Sequence, residues 1–259
     1  MNAVTGIFDR VEDAKQAVET LRELGVREDR INVIMPGTTQ LKFEESVETE
    51  DAERSGVGTA LGGVLGGTAG LLAASFLVPG VGPFAAIGVG AAQLILAIGA
   101  AAGGAAVGHA LENAAATGIP HDDLFIYEDA VRQGRALVIA TPSDAAEADR
   151  LREAFNLSGA ESVDEARKSF WTGLRGAEKV HYETAHRGSF EAVEKAYRRG
   201  FEAAHAFGFR GRSYDEVLPK LVERYGEEAR GDAFLKGFTR GREYLAGALA
   251  GQIEEKDRA

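Results

Sequence analysis

Residues 55–108 contain no Asp, Glu, Lys, Arg or His, a run of 54 positions in a chain of which 27% is charged. A stretch of this kind must be buried in protein or in lipid, because nothing on it is suited to water on any side. Its one clear break is Pro79-Gly80-Val81-Gly82-Pro83, which divides it into two apolar spans, 56–78 and 84–108. As an α-helix the first span, 23 residues, would reach about 34 Å, against about 30 Å for the hydrocarbon core of a bilayer. Gly58, Gly62, Gly66 and Gly70 recur every fourth residue within it. Together with Gly63 and Gly67 they handicap a helix in water by about 5 kcal/mol relative to alanine. Lipid forces the backbone to satisfy its own hydrogen bonds, and small residues then let two helices approach closely. Gly99, Gly103, Gly104 and Gly108 offer the matching face in the second span.

The expectation is a glycine-zipper helical hairpin over 55–114, turning at Pro79, Gly80, Gly82 and Pro83. Inserted in a membrane as two spans, it would leave both flanks on one side. The alternative is a soluble hairpin, buried in a subunit interface or against the rest of the chain. Glycine and alanine contribute little transfer energy, so insertion rests on side chains such as Leu61, Leu65, Phe76, Leu77, Ile87 and Leu94.

The flanks alternate strand and helix. Val4 to Phe8 reads as a strand, Val11, Ala14, Val18 and Leu21 share a helical face closed by Gly25, and Ile31 to Met35 reads as a second strand. Residues 36–54 form an acidic linker. After the apolar region, Pro120, Asp122 and Asp123 suit a helix start and Gly134 its end. The run Ala136 to Ala140 is a strand, Ser143 an N-cap, 145–155 a helix and 160–163 a short strand. With the helix at 119–134 taken as a link, the remaining order of residues 1–35 and 119–164 is β-α-β-β-α-β, that of a ferredoxin-like split βαβ sandwich, interrupted by the hairpin. The expected class is α+β.

Residues 165–259 read as a small helical bundle rich in aromatics, with a capping box at Ser213-x-x-Glu216. An internal echo at an offset of 41 aligns Ala196-Tyr197-Arg198-Arg199-Gly200-Phe201-Glu202 with Gly237-Phe238-Thr239-Arg240-Gly241-Arg242-Glu243. Glycines at these helical positions imply a close helix crossing.

Chemistry is not visible. The stretch 80–85, GVGPFA, fits G-x-G-x-x-A but lacks the acid and the unblocked helix start of a dinucleotide site. His181 and His186 are five apart, a poor spacing for a metal pair, and His109 and His121 suit boundaries with water. No catalytic, cofactor-binding or metal-binding residue is expected. A net charge of −11 argues against nucleic acid as a partner, and the absence of cysteine removes disulfides and thiolates. The opening MNAVTGIFDRVEDAK does not read as a secretory leader.

The opening VTGIFDRVEDAKQAVETLRELGVREDRINVI, the apolar insert around PGVGP and the stretch GIPHDDLFIYEDAVRQGRALVIATPSDAAEADRLREAF together resemble the bacterial general-stress and low-temperature-induced protein family with a glycine-rich hydrophobic insert. The segment HYETAHRGSFEAVEKAYRRGFEAAHAFGFRGRSYDEVLPKLVERYG is similar to a helical tail of bacterial stress proteins, with Phe201 and Tyr214 where those carry tryptophan. The resemblance implies a non-enzymatic role in stress response, often at membranes. The expected function is therefore self-association as a scaffold or protective assembly, as a homo-oligomer at the cytoplasmic face of a membrane. The alternative is a soluble oligomeric binding module in the cytoplasm.

Overall fold

The computed structural model describes residues 3–37, 73–78, 81–88, 90–92, 94, 123–206 and 208–256. Two compact units divide the chain: a sheet unit from residues 1–118 and 130–160, and a helical unit from 119–129 and 161–259. The class is α+β.

The sheet unit opens with β1 (Val4–Phe8), α1 (Val11–Glu23) and β2 (Ile31–Pro36). It continues with β3 (Ala73–Val78) and β4 (Gly82–Ile87). After the helix α2 (Leu124–Arg132), which crosses the boundary between the units, come β5 (Ala136–Ala140) and α3 (Ala145–Leu157). The five strands lie in the order β3-β4-β2-β5-β1, and each of these neighbouring pairs is antiparallel. Strand alternation sorts the side chains into two faces. Val4, Phe8, Val33, Met35, Ala85, Ile87 and Val138 form one core with Ala14, Ala17 and Leu21 of α1 and Leu151, Ala154 and Phe155 of α3. Gly6 belongs to this face because a Cβ there would lie 3.1 Å from the Phe155 ring and 2.9 Å from that of Phe8. The opposite face, with Ile7, Ile34, Phe84, Ala86, Leu137 and Ile139, is equally buried. These strands therefore read as continuous apolar runs, not as the alternation of a half-wet sheet.

The structure corrects the helical hairpin where it is described. Residues 73–78 and 82–87, on either side of the turn, are paired strands, with Ala73 opposite Ile87 and Val78 opposite Gly82. Of the residues expected to form the turn, Gly82 and Pro83 open β4, while Pro79 and Gly80 lie outside the described residues. The physical reason for strands here is that β4 also pairs with β2, Val33 opposite Ile87 and Pro36 opposite Phe84. The ladders on both sides of β4 pair its backbone groups inside the sheet, and strand geometry is thereby selected for an apolar run too short and too glycine-bounded to favour a helix in water.

Local details differ from expectation at two caps. Asp144, not Ser143, caps α3 by accepting from the Glu147 amide, while Ser143 donates through its hydroxyl to the Glu147 carboxylate. The expected strand at 160–163 shrinks to Glu161–Ser162, because Ser162 and Glu165 form a capping box that starts the next helix at Val163.

The helical unit holds α4 (Val163–Ala185), α5 (Phe190–His205), α6 (Tyr214–Tyr225), a 3-10 turn at Gly226–Arg230 and α7 (Asp232–Lys256). The capping box Ser213–Glu216 starts α6. Two aromatic clusters fill the unit. Trp171, Tyr182, Phe190, Tyr197 and Phe201 form the first, and Phe209, Val217, Leu221, Phe234 and Phe238 lie in the second.

Candidate association site

Gly58, Gly62, Gly66, Gly70, Gly99, Gly103, Gly104 and Gly108, the residues expected to pack helices together, lie outside the described residues, as do Pro79 and Gly80. Gly82 and Pro83 open β4. Gly82 has φ 126°, which admits glycine and strains other residues. The Pro83 carbonyl accepts from the Gly37 amide at 2.8 Å, so its nitrogen also points toward the β2 side and the β3 ladder loses no donor.

Beyond β4 the chain is fastened by a device that sequence reasoning missed. Asn32, on the second face of β2 and 4% exposed, accepts through Oδ1 from the amides of Gly90 (2.8 Å) and Ala91 (3.1 Å). These amides belong to a helical turn whose Ala92 amide bonds back to the Gly88 carbonyl at 3.0 Å. Asn32 thus serves as an N-cap supplied from another strand, and its side chain fills the place an anion would take. The close fit dictates the glycines. A Cβ on Gly88 would meet Oδ1 at 2.5 Å and the Ile31 carbonyl at 2.9 Å, and one on Gly90 would meet Oδ1 at 2.9 Å. Ala91 and Leu94 are fully buried. Apolar residues expected to drive membrane insertion, Ile87 and Leu94, are therefore spent inside the protein.

The helical unit realises the echo in the sequence. Gly200 of α5 and Gly237 of α7 face each other's backbones. A Cβ on Gly200 would overlap the Phe234 carbonyl, and one on Gly237 the Tyr197 carbonyl. Gly241 adds a third contact, 2.6 Å from its Cβ position to the Phe201 carbonyl. The spacing Gly237-x-x-x-Gly241 is the legible signal of this crossing.

Charge inside the unit is paired. Glu178, 1% exposed, accepts from the Tyr197 hydroxyl at 2.9 Å and from Arg240 at 3.1 Å. Burial, with the Glu178 charge behind it, pushes the Tyr197 phenol far up and keeps it protonated as a donor. Glu194 accepts from the Trp171 indole and twice from Arg175, which lowers its pKa. His205 is enclosed by the rings of Phe125, Phe170, Phe201 and Tyr244. Its Nδ1 bonds the Phe201 carbonyl at 2.8 Å, while Nε2 has no hydrogen-bond partner among the described residues. Burial pushes its pKa down to about 4. In the sheet unit, Glu147 accepts from two Arg30 nitrogens at 2.7 and 2.9 Å and from Ser143. The Arg30 bonds, then those from Ser143, hold its pKa at about 2.

His181 and His186 join no cluster that could hold a metal among the described residues, and His109 and His121 lie outside them. Among the described residues no helix is long and apolar enough to cross a membrane. Comparison of the chain with protein-family models, with curated proteins and with solved structures found no match.

Proposed function

We propose that this chain works by association and not by catalysis. It is a stress-response protein whose glycine-rich segments, entering and leaving the β3–β4 hairpin, stick to like segments of other copies. One observation carries the reading: an uncharged run of 54 residues is anchored to a folded sheet by two strands in its middle. The stress-response part rests on the sequence resemblance. The strand order β2-β5-β1, with α1 and α3 as the two crossovers, supports the ferredoxin-like split βαβ reading of the sheet unit.

The burial of Ile87 and Leu94 favours a second form of the reading over full membrane insertion. In it the apolar segments are covered by protein, in the chain itself and between subunits of a soluble oligomer. The membrane form places the same segments at the cytoplasmic face of a bilayer. An alkaline carbonate wash of fractionated cells separates the two. Retention in the pellet supports the bilayer, and quantitative release supports the soluble assembly. Self-association is tested separately by Gly62→Leu with Gly66→Leu. The expected outcome is a smaller particle in light scattering, in detergent or buffer alike, and an unchanged oligomer size refutes the glycine contact.

A further inference from the structure

β3 stands at one end of the sheet order, with β4 as its single strand neighbour among the described residues. Which of its backbone groups stay outside follows from the register. Each residue of an antiparallel strand sends its N–H and C=O to the same side, and successive residues alternate sides. The Gly37 amide donates to the Pro83 carbonyl at 2.8 Å, so Pro83, Ala85 and Ile87 face β2 while Gly82, Phe84 and Ala86 face β3. Their partners Val78, Phe76 and Ala74 therefore point inward, and Ala73, Ser75 and Leu77 direct their amides and carbonyls off the edge of the sheet.

Proteins ordinarily blunt such an edge with a charge, a proline or a bulge. β3, Ala73-Ala74-Ser75-Phe76-Leu77-Val78, carries neither charge nor proline, and its register with β4 runs unbroken from Ala73–Ile87 to Val78–Gly82. Charge selects the occupant. Two copies with a net charge of −11 each repel one another over much of their surface, whereas β3 lies inside the run of 54 residues that has no charge. The strand also complements itself. Turned antiparallel about Ser75, the strand of a second copy sets Ala73 opposite Leu77, Ser75 opposite Ser75 and Leu77 opposite Ala73. Every outward residue then meets an outward residue, and each pair exchanges both of its hydrogen bonds.

We propose that β3 pairs edge to edge with β3 of a second copy, joining the two sheets into one across a two-fold axis at Ser75. The proposal deepens the association reading and rests on it for the identity of the partner, but the contact is the strand backbone and not the glycine-rich segments.

The chain has no cysteine, so one introduced thiol reports one position. Ser75→Cys puts two thiols on a hydrogen-bonded pair whose Cα atoms lie about 5.5 Å apart, within the span of a disulfide. Leu77→Cys leaves its two thiols on residues about 14 Å apart, beyond that span. Under mild oxidation the full chain with Ser75→Cys is expected to run as a covalent dimer on a non-reducing gel, and that with Leu77→Cys as a monomer. Ser75→Pro removes an outward amide and spares the β3–β4 ladder, which uses Ala74, Phe76 and Val78. It is expected to lower the particle mass in light scattering while the β1–β5 amides keep their protection. The proposal is overturned if Ser75→Cys fails to cross-link, if Leu77→Cys cross-links as fully, or if Ser75→Pro leaves the mass unchanged. An assembly that persists without the Ser75→Cys cross-link removes the edge contact alone and leaves association standing. A monomer at every concentration removes both.

Discussion

At Gly200 and Gly237 a single methyl group decides whether two helices can touch. Each added Cβ would overlap a carbonyl of the facing helix, which cannot swing aside as a side-chain tip would. Gly200→Ala or Gly237→Ala is therefore expected to destabilise the helical unit by about 3 kcal/mol or more in urea unfolding followed by tryptophan fluorescence. The contrast is Gly173→Ala and Gly176→Ala in α4, where the new Cβ meets nothing. These should stabilise by about 0.5–1 kcal/mol each, because only the helix propensity changes. The offset-41 echo made the crossing glycines legible in the sequence. Nothing local marked Glu178, however, because its partners Tyr197 and Arg240 stand 19 and 62 residues away and meet it only through the folded crossing.

Among the elements, β1, α1, β2, β5 and α3 are legible because their apolar periods are unambiguous and their ends carry turn glycines such as Gly25 (φ 80°) and Gly134 (φ 77°). The stretches at 73–78 and 82–87 are not. A short apolar run bounded by glycine reads equally as helix or buried strand, and the sheet edge that selects the strand is supplied to β4 by β2, about fifty residues earlier in the chain. Asn32 was silent for the same reason: it looks like a polar interruption of a strand until the amides of Gly90 and Ala91 are brought to it. Asn32→Ala removes the acceptor for both amides in a buried setting and is expected to cost about 1–3 kcal/mol. Hydrogen exchange should show the loss first at the Gly90 and Ala91 amides, with the β1–β5 ladder still protected. Equal loss of protection in that ladder would mean that Asn32 supports the whole sheet and not one joint.

The two units carry separate acid triggers. His205 is neutral in the folded helical unit, with a pKa depressed from 6.5 to about 4. Its contribution is complete above pH 6.5 and is lost as pH falls toward 4, because the unfolded chain takes up the proton first. That difference corresponds to roughly 3 kcal/mol. Glu147 in the sheet unit, depressed from 4.5 to about 2, contributes fully above pH 4.5, and its share disappears as pH falls toward 2. The helical unit is thus expected to weaken between pH 6.5 and 4, and the sheet unit at lower pH. Trp171, the single tryptophan, and all six tyrosines lie in the helical unit, so fluorescence follows that unit alone and methyl NMR is needed for the sheet. His205→Gln should flatten the first transition and leave the second in place. Simultaneous loss of both signals at one pH would contradict the assignment. The pairing of Ala73 with Ile87 has a consequence of its own for the apolar run. It holds the open end of the β3–β4 hairpin roughly 5 Å wide, one strand spacing. The entropy of closing the chain between those two positions has therefore already been met by the sheet.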